Sequence, residues 1–115
     1  MTKKKPEFVM RDRNRKPLGE PIRYTPIMVI AGSDTHRLAL HKVGDEWQVS
    51  HPEIGAKVLI LEMTYRGIPM TTRDLTIAQA RNLAVQQIDL LIRRIGSAKF
   101  NALIERMSKI GRAHV

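Results

Sequence analysis

The stretch RLALHKVGDEWQVSHPEIGAKVLILEMTY, residues 37–65, decides the fold. In its middle part Trp47 and Val49 fall on one face of a strand, and Gln48 and Ser50 fall on the other. The short turn sequences GD and EIG divide the stretch into three segments, a spacing typical of an antiparallel meander. The predicted strands are residues 37–43, 46–52 and 56–65.

The sequence on the N-terminal side of the meander predicts one further long strand. YTPIMVIA, residues 24–31, is largely apolar, and Pro26 favours a position at a sheet edge because proline cannot donate to a ladder. GSDTH, residues 32–36, is a cluster of turn formers. A short extended piece is predicted at residues 7–10, followed by a loop containing Asn, Pro and Gly at residues 12–21.

The last third of the chain predicts two amphipathic helices, at about residues 76–95 and 97–110, after a loop at residues 66–74. Thr76 and Gln79 have the spacing of a capping box, and Gly96 is suited to a left-handed cap. Ser97 is the expected cap of the second helix, which Gly111 would end. The apolar stripes, with spacings of three and four, are Ile77, Ala80, Ala84, Ile88, Leu91 and Ile95, then Phe100, Leu103, Ile104, Met107 and Ile110.

A chain of 115 residues with 43% hydrophobic residues is of the size and composition of one globular domain. The predicted class is α+β: an antiparallel meander of three to five strands within residues 7–65, followed by two C-terminal helices on one sheet face. Residues 7–115 form the predicted domain, and residues 1–6 are predicted to be a disordered basic tail.

The residues that carry enzyme chemistry are sparse. The chain contains no cysteine, which excludes disulfides and thiolate chemistry. Ser33, Asp34 and His36 are the residue types of a hydrolytic triad, but neighbours in a tight turn seldom have its geometry, so a turn is favoured. No glycine motif resembles a phosphate-binding loop. The sequence therefore favours a protein that is not an enzyme and has no cofactor.

Histidines do not form a convincing metal site. A zinc site needs three or four ligands in a defined geometry, and no close carboxylate completes a set here. The favoured interpretation is exposed histidines on turns and strands. The four are His36, His41, His51 and His114.

Positive charge is concentrated in the two ends of the sequence. The net charge is +9; residues 1–23 hold eight basic and three acidic groups, and residues 74–115 hold seven and three. Residues 24–73 hold five of each and are neutral. Such asymmetry favours affinity for a nucleic acid or another anionic surface.

RDRNRK, residues 11–16, is the densest basic segment. If it is extended, Arg11, Arg13 and Arg15 share one face and can follow a phosphate backbone. Few aromatic residues are present for stacking on single-stranded RNA, which favours duplex DNA or structured RNA. The predicted nucleic-acid-binding residues are Arg11, Arg13, Arg15, Lys16, Arg93, Arg94 and Lys99.

The order of a three-stranded meander followed by a helix, over residues 37–95, resembles the small arm-site DNA-binding domains of phage-type integrases. The resemblance is one of element order and transfers no functional residue. The first hypothesis is accordingly a small accessory protein that binds nucleic acid, of a type common on mobile elements.

A protein–protein adaptor or inhibitor, with a homodimer as one form, is the alternative. Leu83, Val85, Leu90 and Ile92 widen the apolar stripe of the first helix beyond what one sheet face needs. Such a protein would use its basic groups to dock on an acidic surface of a target. No run approaches the roughly 18 apolar residues of a membrane span, and no apolar run follows Lys3, Lys4 and Lys5, so a cytoplasmic location is expected.

Overall fold

The computed structural model describes residues 6–12, 14 and 16–112, the last five of them by backbone alone. Within these residues, strands come first and two helices last, which confirms the α+β class. Residues 1–5 of the predicted tail, Arg13, Arg15 and His114 lie outside the described residues, whereas the Pro6 carbonyl accepts from the Tyr24 N–H at 3.0 Å. The elements are β1 Glu7–Phe8, β2 Ile22–Arg23, β3 Thr25–Ala31, β4 Asp34–Val43, β5 Glu46–His51, β6 Ala56–Ile60, β7 Met63–Tyr65, β8 Ile68–Met70, α1 Ile77–Ile95 and α2 Ser97–Arg112.

The central sheet is a four-stranded antiparallel meander in the order β3-β4-β5-β6. The predicted meander is therefore confirmed, and β3 joins it as an edge strand, as the position of Pro26 indicated. The turn between β3 and β4 consists of Gly32 and Ser33 alone, because Asp34 pairs with Ala31 as the first residue of β4. Residues 34–36, predicted as part of a turn, are thus strand.

The single strand predicted over residues 56–65 is broken after Ile60. Gln87 on α1 takes both backbone groups of Glu62: its Oε1 accepts from the Glu62 N–H at 3.1 Å and its Nε2 donates to the Glu62 carbonyl. These bonds remove Glu62 from the sheet ladder. β7 then pairs with β8, so the loop predicted over residues 66–74 is wrong at β8.

The start of α1 is the predicted capping box. The Thr76 hydroxyl accepts from the Gln79 N–H at 3.1 Å, and the Gln79 side-chain oxygen accepts from the Thr76 N–H at 2.9 Å. Both bonds satisfy N–H groups that have no partner within the helix. Neither helix of the described chain is long and apolar enough to cross a membrane.

The corner between the helices is formed by Gly96. Its N–H donates to the Ile92 carbonyl, and its φ of 91° with ψ of 148° lies in a positive-φ region that favours glycine but differs from the predicted left-handed helical cap. The Gly96 carbonyl accepts from the Phe100 N–H at 3.0 Å. Gly96 is therefore the N-cap of α2, and Ser97, the predicted cap, is its first residue. α2 also continues through Gly111, where its end was predicted.

Both helices pack on one face of the sheet and enclose the main core. The stripe of α1 that faces the sheet is Ala80, Ala84, Ile88 and Ile92, in steps of four. Ile77, predicted to be buried, is 43% exposed, and Ile92, predicted as apolar surplus, belongs to the core. The buried core is Ile27, Val29, Ala31, Leu38, Leu40, Trp47, Val49, Leu61, Ala80, Ala84, Ile88, Ile92, Phe100 and Ile104.

The N-terminal segment covers part of the opposite sheet face. Phe8 and Tyr24 meet edge to face with ring centroids 5.5 Å apart, and both pack on Ala39 of β4. Gln48 and Ser50, predicted to lie on an open polar face, are buried beneath this layer or beside it, with Ser50 fully buried. The middle of the sheet is therefore covered on both sides.

Candidate functional site

The described residues of the RDRNRK segment belong to a tight reversal, which we call the basic hairpin, residues 10–12, 14 and 16–18. The Asp12 carboxylate accepts from the N–H groups of Asn14 at 2.8 Å and Lys16 at 2.9 Å. Leu18 N–H donates to the Met10 carbonyl at 2.8 Å, across an antiparallel bridge between residues 11 and 17. An acidic side chain thus folds the described part of the segment back on itself, as in the loop predicted over residues 12–21 and not as an extended arm.

The basic hairpin is attached to the turn between β5 and β6. Arg11 N–H donates to the Gly55 carbonyl at 3.1 Å, and Gly55 N–H donates to the His51 carbonyl at 2.8 Å. Gly55 has φ of 71°, and a Cβ there would lie 2.1 Å from the Val9 carbonyl oxygen. Only glycine allows this close approach, which fixes Arg11 beside the turn.

The second basic group surrounds the α1–α2 corner. Arg93, Arg94 and Lys99 are all exposed. Arg93 Nε lies 3.1 Å from Asp89 Oδ2, one helical turn earlier, so its charge is partly compensated. Ser97 at the corner contacts the β3–β4 turn, since a Cβ added at Gly32 would lie 3.4 Å from the Ser97 Cβ.

The fold brings the two basic groups to the same end of the sheet. In an antiparallel meander the first and third turns lie at one end and the second turn at the other. The α1–α2 corner contacts the β3–β4 turn, and the basic hairpin contacts the β5–β6 turn. These turns are two strands apart, a lateral spacing of about 10 Å.

A polar cavity of about 430 Å³ lies between the sheet and α2. Its walls include three carboxylates, those of Asp34, Glu53 and Glu105, and one guanidinium, that of Arg37, together with His36 and His51. The excess of carboxylates disfavours a phosphate inside the cavity. Within the part of the chain that is described, no three His, Cys, Asp or Glu side chains group as metal ligands.

His36 links the sheet to α2. Asn101 Nδ2 donates to the Ala31 carbonyl at 3.0 Å, which orients the Asn101 oxygen towards His36. His36 Nε2 lies 2.6 Å from that oxygen and is therefore the donor. His36 also packs edge to face against Phe100, with centroids 5.7 Å apart. The position of His36 is that of a structural connector rather than a member of a hydrolytic triad.

Two other histidines are buried, contrary to the expectation of exposed side chains. His41 is 1% exposed and lies under Phe8; its Nε2 donates to Ser50 Oγ at 2.7 Å, and that hydroxyl donates to Met10 Sδ. Burial lowers the pKa of His41, and a backbone hydrogen bond at Lys42 partly opposes this.

His51 faces the cavity and is 6% exposed. Burial lowers its pKa; the Glu53 carboxylate acts in the opposite direction, and His36 adds to the lowering. Buried neutral imidazoles stabilise the fold only while they stay unprotonated. His41 and His51 are thus sensitive to acid, and neither imidazole adds positive charge near the two basic groups at neutral pH.

Aromatic stacking has little support in this structure. Trp47, Phe8, Tyr24 and Phe100 are buried, which confirms the core position predicted for Trp47. Tyr65 is the exposed aromatic side chain, 63% accessible, with the Arg66 guanidinium carbon 5.5 Å from its ring centroid. A single-strand platform uses several such rings.

The residues that position the site are ones the sequence alone did not single out. Asp12 closes the basic hairpin, Gly55 fastens it, and Asn101 fixes α2 to the sheet. Asp followed by Asn is a turn signal that could have revealed the first of these. Comparisons with protein-family models, curated proteins and solved structures find no match for this chain.

Proposed function

We propose that this chain is a cytoplasmic accessory protein, without enzymatic activity, that holds the phosphate backbone of duplex DNA or structured RNA. The observation that carries the proposal is the position of the two basic groups beside two turns at one end of the sheet. A non-enzymatic, backbone-directed protein of this kind fits the role of an accessory factor on a mobile element.

Four exposed cations contribute most in this scheme: Arg11 and Lys16 on the basic hairpin, and Arg94 and Lys99 at the helix corner. Arg93 contributes less because it is already paired with Asp89. Each phosphate contact adds about 0.9 to the slope of log K against log salt. Four contacts predict a slope of about −3.6, hence roughly a hundredfold loss of affinity between 50 and 200 mM salt.

The test is fluorescence anisotropy with two duplexes of unrelated sequence over a range of salt concentrations. R11Q/K16Q and R94Q/K99Q should each weaken binding to both duplexes equally and flatten the slope by about 1.8. K42Q/R73Q is the matched control, because Lys42 and Arg73 lie by the β4–β5 turn at the opposite end of the sheet.

An equal loss of affinity in K42Q/R73Q would show that binding depends only on net charge, and it would remove the two basic groups as a site from the proposal. Wild-type protein with no salt-sensitive affinity for either duplex would overturn the proposal itself. R13Q/R15Q extends the test to the two arginines that were predicted from sequence to bind.

The adaptor hypothesis is the second candidate, and one surface favours it. β7 and β8 form a hairpin whose Tyr65, Ile68 and Met70 are 63%, 62% and 48% exposed. An exposed apolar hairpin of this kind suits insertion into a partner protein. Absence of nucleic-acid affinity, together with a partner lost on I68K substitution, would favour this candidate over the first.

A further inference from the structure

The outer edge of β3 is long, and beyond Pro26 near its start it carries no feature that blocks the addition of a strand. β3 has seven residues, and within the described chain no strand pairs with its outer edge. Residues 24–33 contain no charged side chain. Met28 and Ile30 are 59% and 71% exposed, and both point away from the helices. Soluble sheets normally protect such an edge with charge, proline, a bulge, short length or a covering segment, and of these β3 has only Pro26.

The opposite edge of the same sheet shows that protection. β6 has five residues, carries the exposed Lys57 and pairs with β5 through a shift of register between Val49 and Ser50. Each of these features discourages another strand from adding there. The difference between the edges indicates that β3 is adapted to be covered by a strand.

The register shows which backbone groups the edge offers. The two-residue turn makes Ala31 and Asp34 a hydrogen-bonded pair, and bonded pairs recur at every second residue of an antiparallel ladder. Val29 and Ile27 therefore bond to β4, whereas the N–H and carbonyl groups of Met28 and Ile30 point outwards. The backbone of Pro26 also faces outwards, because residue 26 is an even number of residues from Met28 and Ile30. Its missing N–H therefore removes no hydrogen bond from the β3–β4 ladder.

A groove of about 420 Å³ runs along this edge, between β3 and α1. Met28, Val29 and Ile30 line it along the strand edge, and Val85, 45% exposed, lines it from the helix with Asn82, Gln86 and Asp89. An added strand would meet apolar side chains, neutral amides and the Asp89 carboxylate, which is paired with Arg93. A charged segment would find no basic side chain on β3 itself.

We infer that the occupant is β3 of a second copy of the chain, paired antiparallel about a two-fold axis near Val29. In this register Met28 of each copy lies opposite Ile30 of the other, and each such pair exchanges two backbone hydrogen bonds. The exposed apolar side chains then meet as cross-strand pairs. The two sheets become one continuous sheet, with an isologous interface.

This inference is independent of the proposed function. A second copy fits because β3 is complementary to itself: its edge is uncharged, its outward backbone groups alternate, and its two large exposed side chains come opposite each other. A different protein would need an edge strand with this same pattern. The helices of both copies lie on one side of the joined sheet, which places the Val85 sides of α1 towards each other.

The experiment is sedimentation velocity on the full chain over about 10 µM to 1 mM, where dimers of micromolar to submillimolar Kd are resolved. The wild type should dimerise. I30K and M28P should associate at least tenfold more weakly; proline at residue 28 removes an outward N–H and leaves the β4 ladder intact. T35K is the matched control, because Thr35 is exposed beside Ile30 but one strand inwards.

A wild type that stays monomeric throughout would overturn the inference, as would a dimer unaffected by both edge variants or weakened equally by T35K. Amide exchange of the wild type gives a second measurement that needs no variant. The Met28 and Ile30 N–H groups should become protected as concentration rises, while those of Ile27 and Val29 are protected throughout. Fast exchange at residues 28 and 30 in a dimer would place the interface elsewhere.

Discussion

Acidification should destabilise the fold in the range between pH 7 and pH 5, through His41 and His51. Burial lowers the pKa of both groups below the ordinary value of 6.5. The unfolded chain therefore binds more protons than the folded protein below about pH 6.5, and the free energy of unfolding falls as pH falls. The stabilisation is present above the unfolded pKa and is lost as pH decreases towards the folded values.

The size of the effect follows from proton linkage. Each histidine that is neutral when folded and protonated when unfolded contributes a slope of about 1.4 kcal/mol per pH unit. Two such groups set an upper slope of about 2.7 kcal/mol per unit, against a total stability of roughly 5–15 kcal/mol for a domain.

Urea unfolding followed by fluorescence of Trp47, the single tryptophan, gives the free energy at each pH. H41Q/H51Q is the informative variant, because a glutamine amide can reach Ser50 in place of His41 Nε2 and does not titrate. Its profile should be nearly flat between pH 5 and pH 7. A wild-type midpoint that does not change with pH, or a variant with the wild-type slope, would refute the assignment.

Three further substitutions test how the site is held. G55A should destabilise by about 2 kcal/mol or more, since a Cβ there meets the Val9 carbonyl; G44A, with a similar positive φ but open space, should cost only about 1–2 kcal/mol in urea unfolding. T76A should cost about 1 kcal/mol by loss of the cap, measured in the same way. N101A should cost about 1–3 kcal/mol and speed amide exchange in α2, and unchanged exchange would contradict its role as a link.

Local patterns predicted most of the fold. An apolar run located β3, short turn sequences located β4, period-two alternation located β5, and the capping box located the start of α1. These signals depend on neighbours within about four residues, which is why they can be read from one sequence. The break after Ile60 was missed because its cause is Gln87, 25 residues away in the chain, which takes the backbone bonds of Glu62.

The burial of the second sheet face could not be predicted from alternation. Ser50 and His41 are polar, and polar residues on alternate positions indicate exposure. Here the Ser50 hydroxyl bonds to both His41 Nε2 and Met10 Sδ beneath the N-terminal segment, which offsets part of the cost of burial, while His41 Nδ1 is buried without a partner. Residues 7–10 are too few to show a period.

The sequence indicated which basic residues belong to the candidate site, but it did not indicate how they are arranged. The sequence identified the two basic groups, and the topology of the meander brings them to one end. It did not reveal that Asp12 would reverse the first group, or that Asp89 would pair with Arg93. Side-chain partners of this kind depend on which turn forms, and RDRNRK alone is compatible with both an arm and a hairpin.

Electrostatic repulsion is the main objection to self-association of a chain with net charge +9. The geometry of the inferred dimer answers it. A two-fold axis near Val29 directs the basic ends of the two copies in opposite directions, each about 10 Å along the strand from the axis. A separation of about 20 Å exceeds the screening length of about 8 Å at physiological salt. The edge that pairs is uncharged, so the charge that would attract phosphate lies away from the surface that would join the copies.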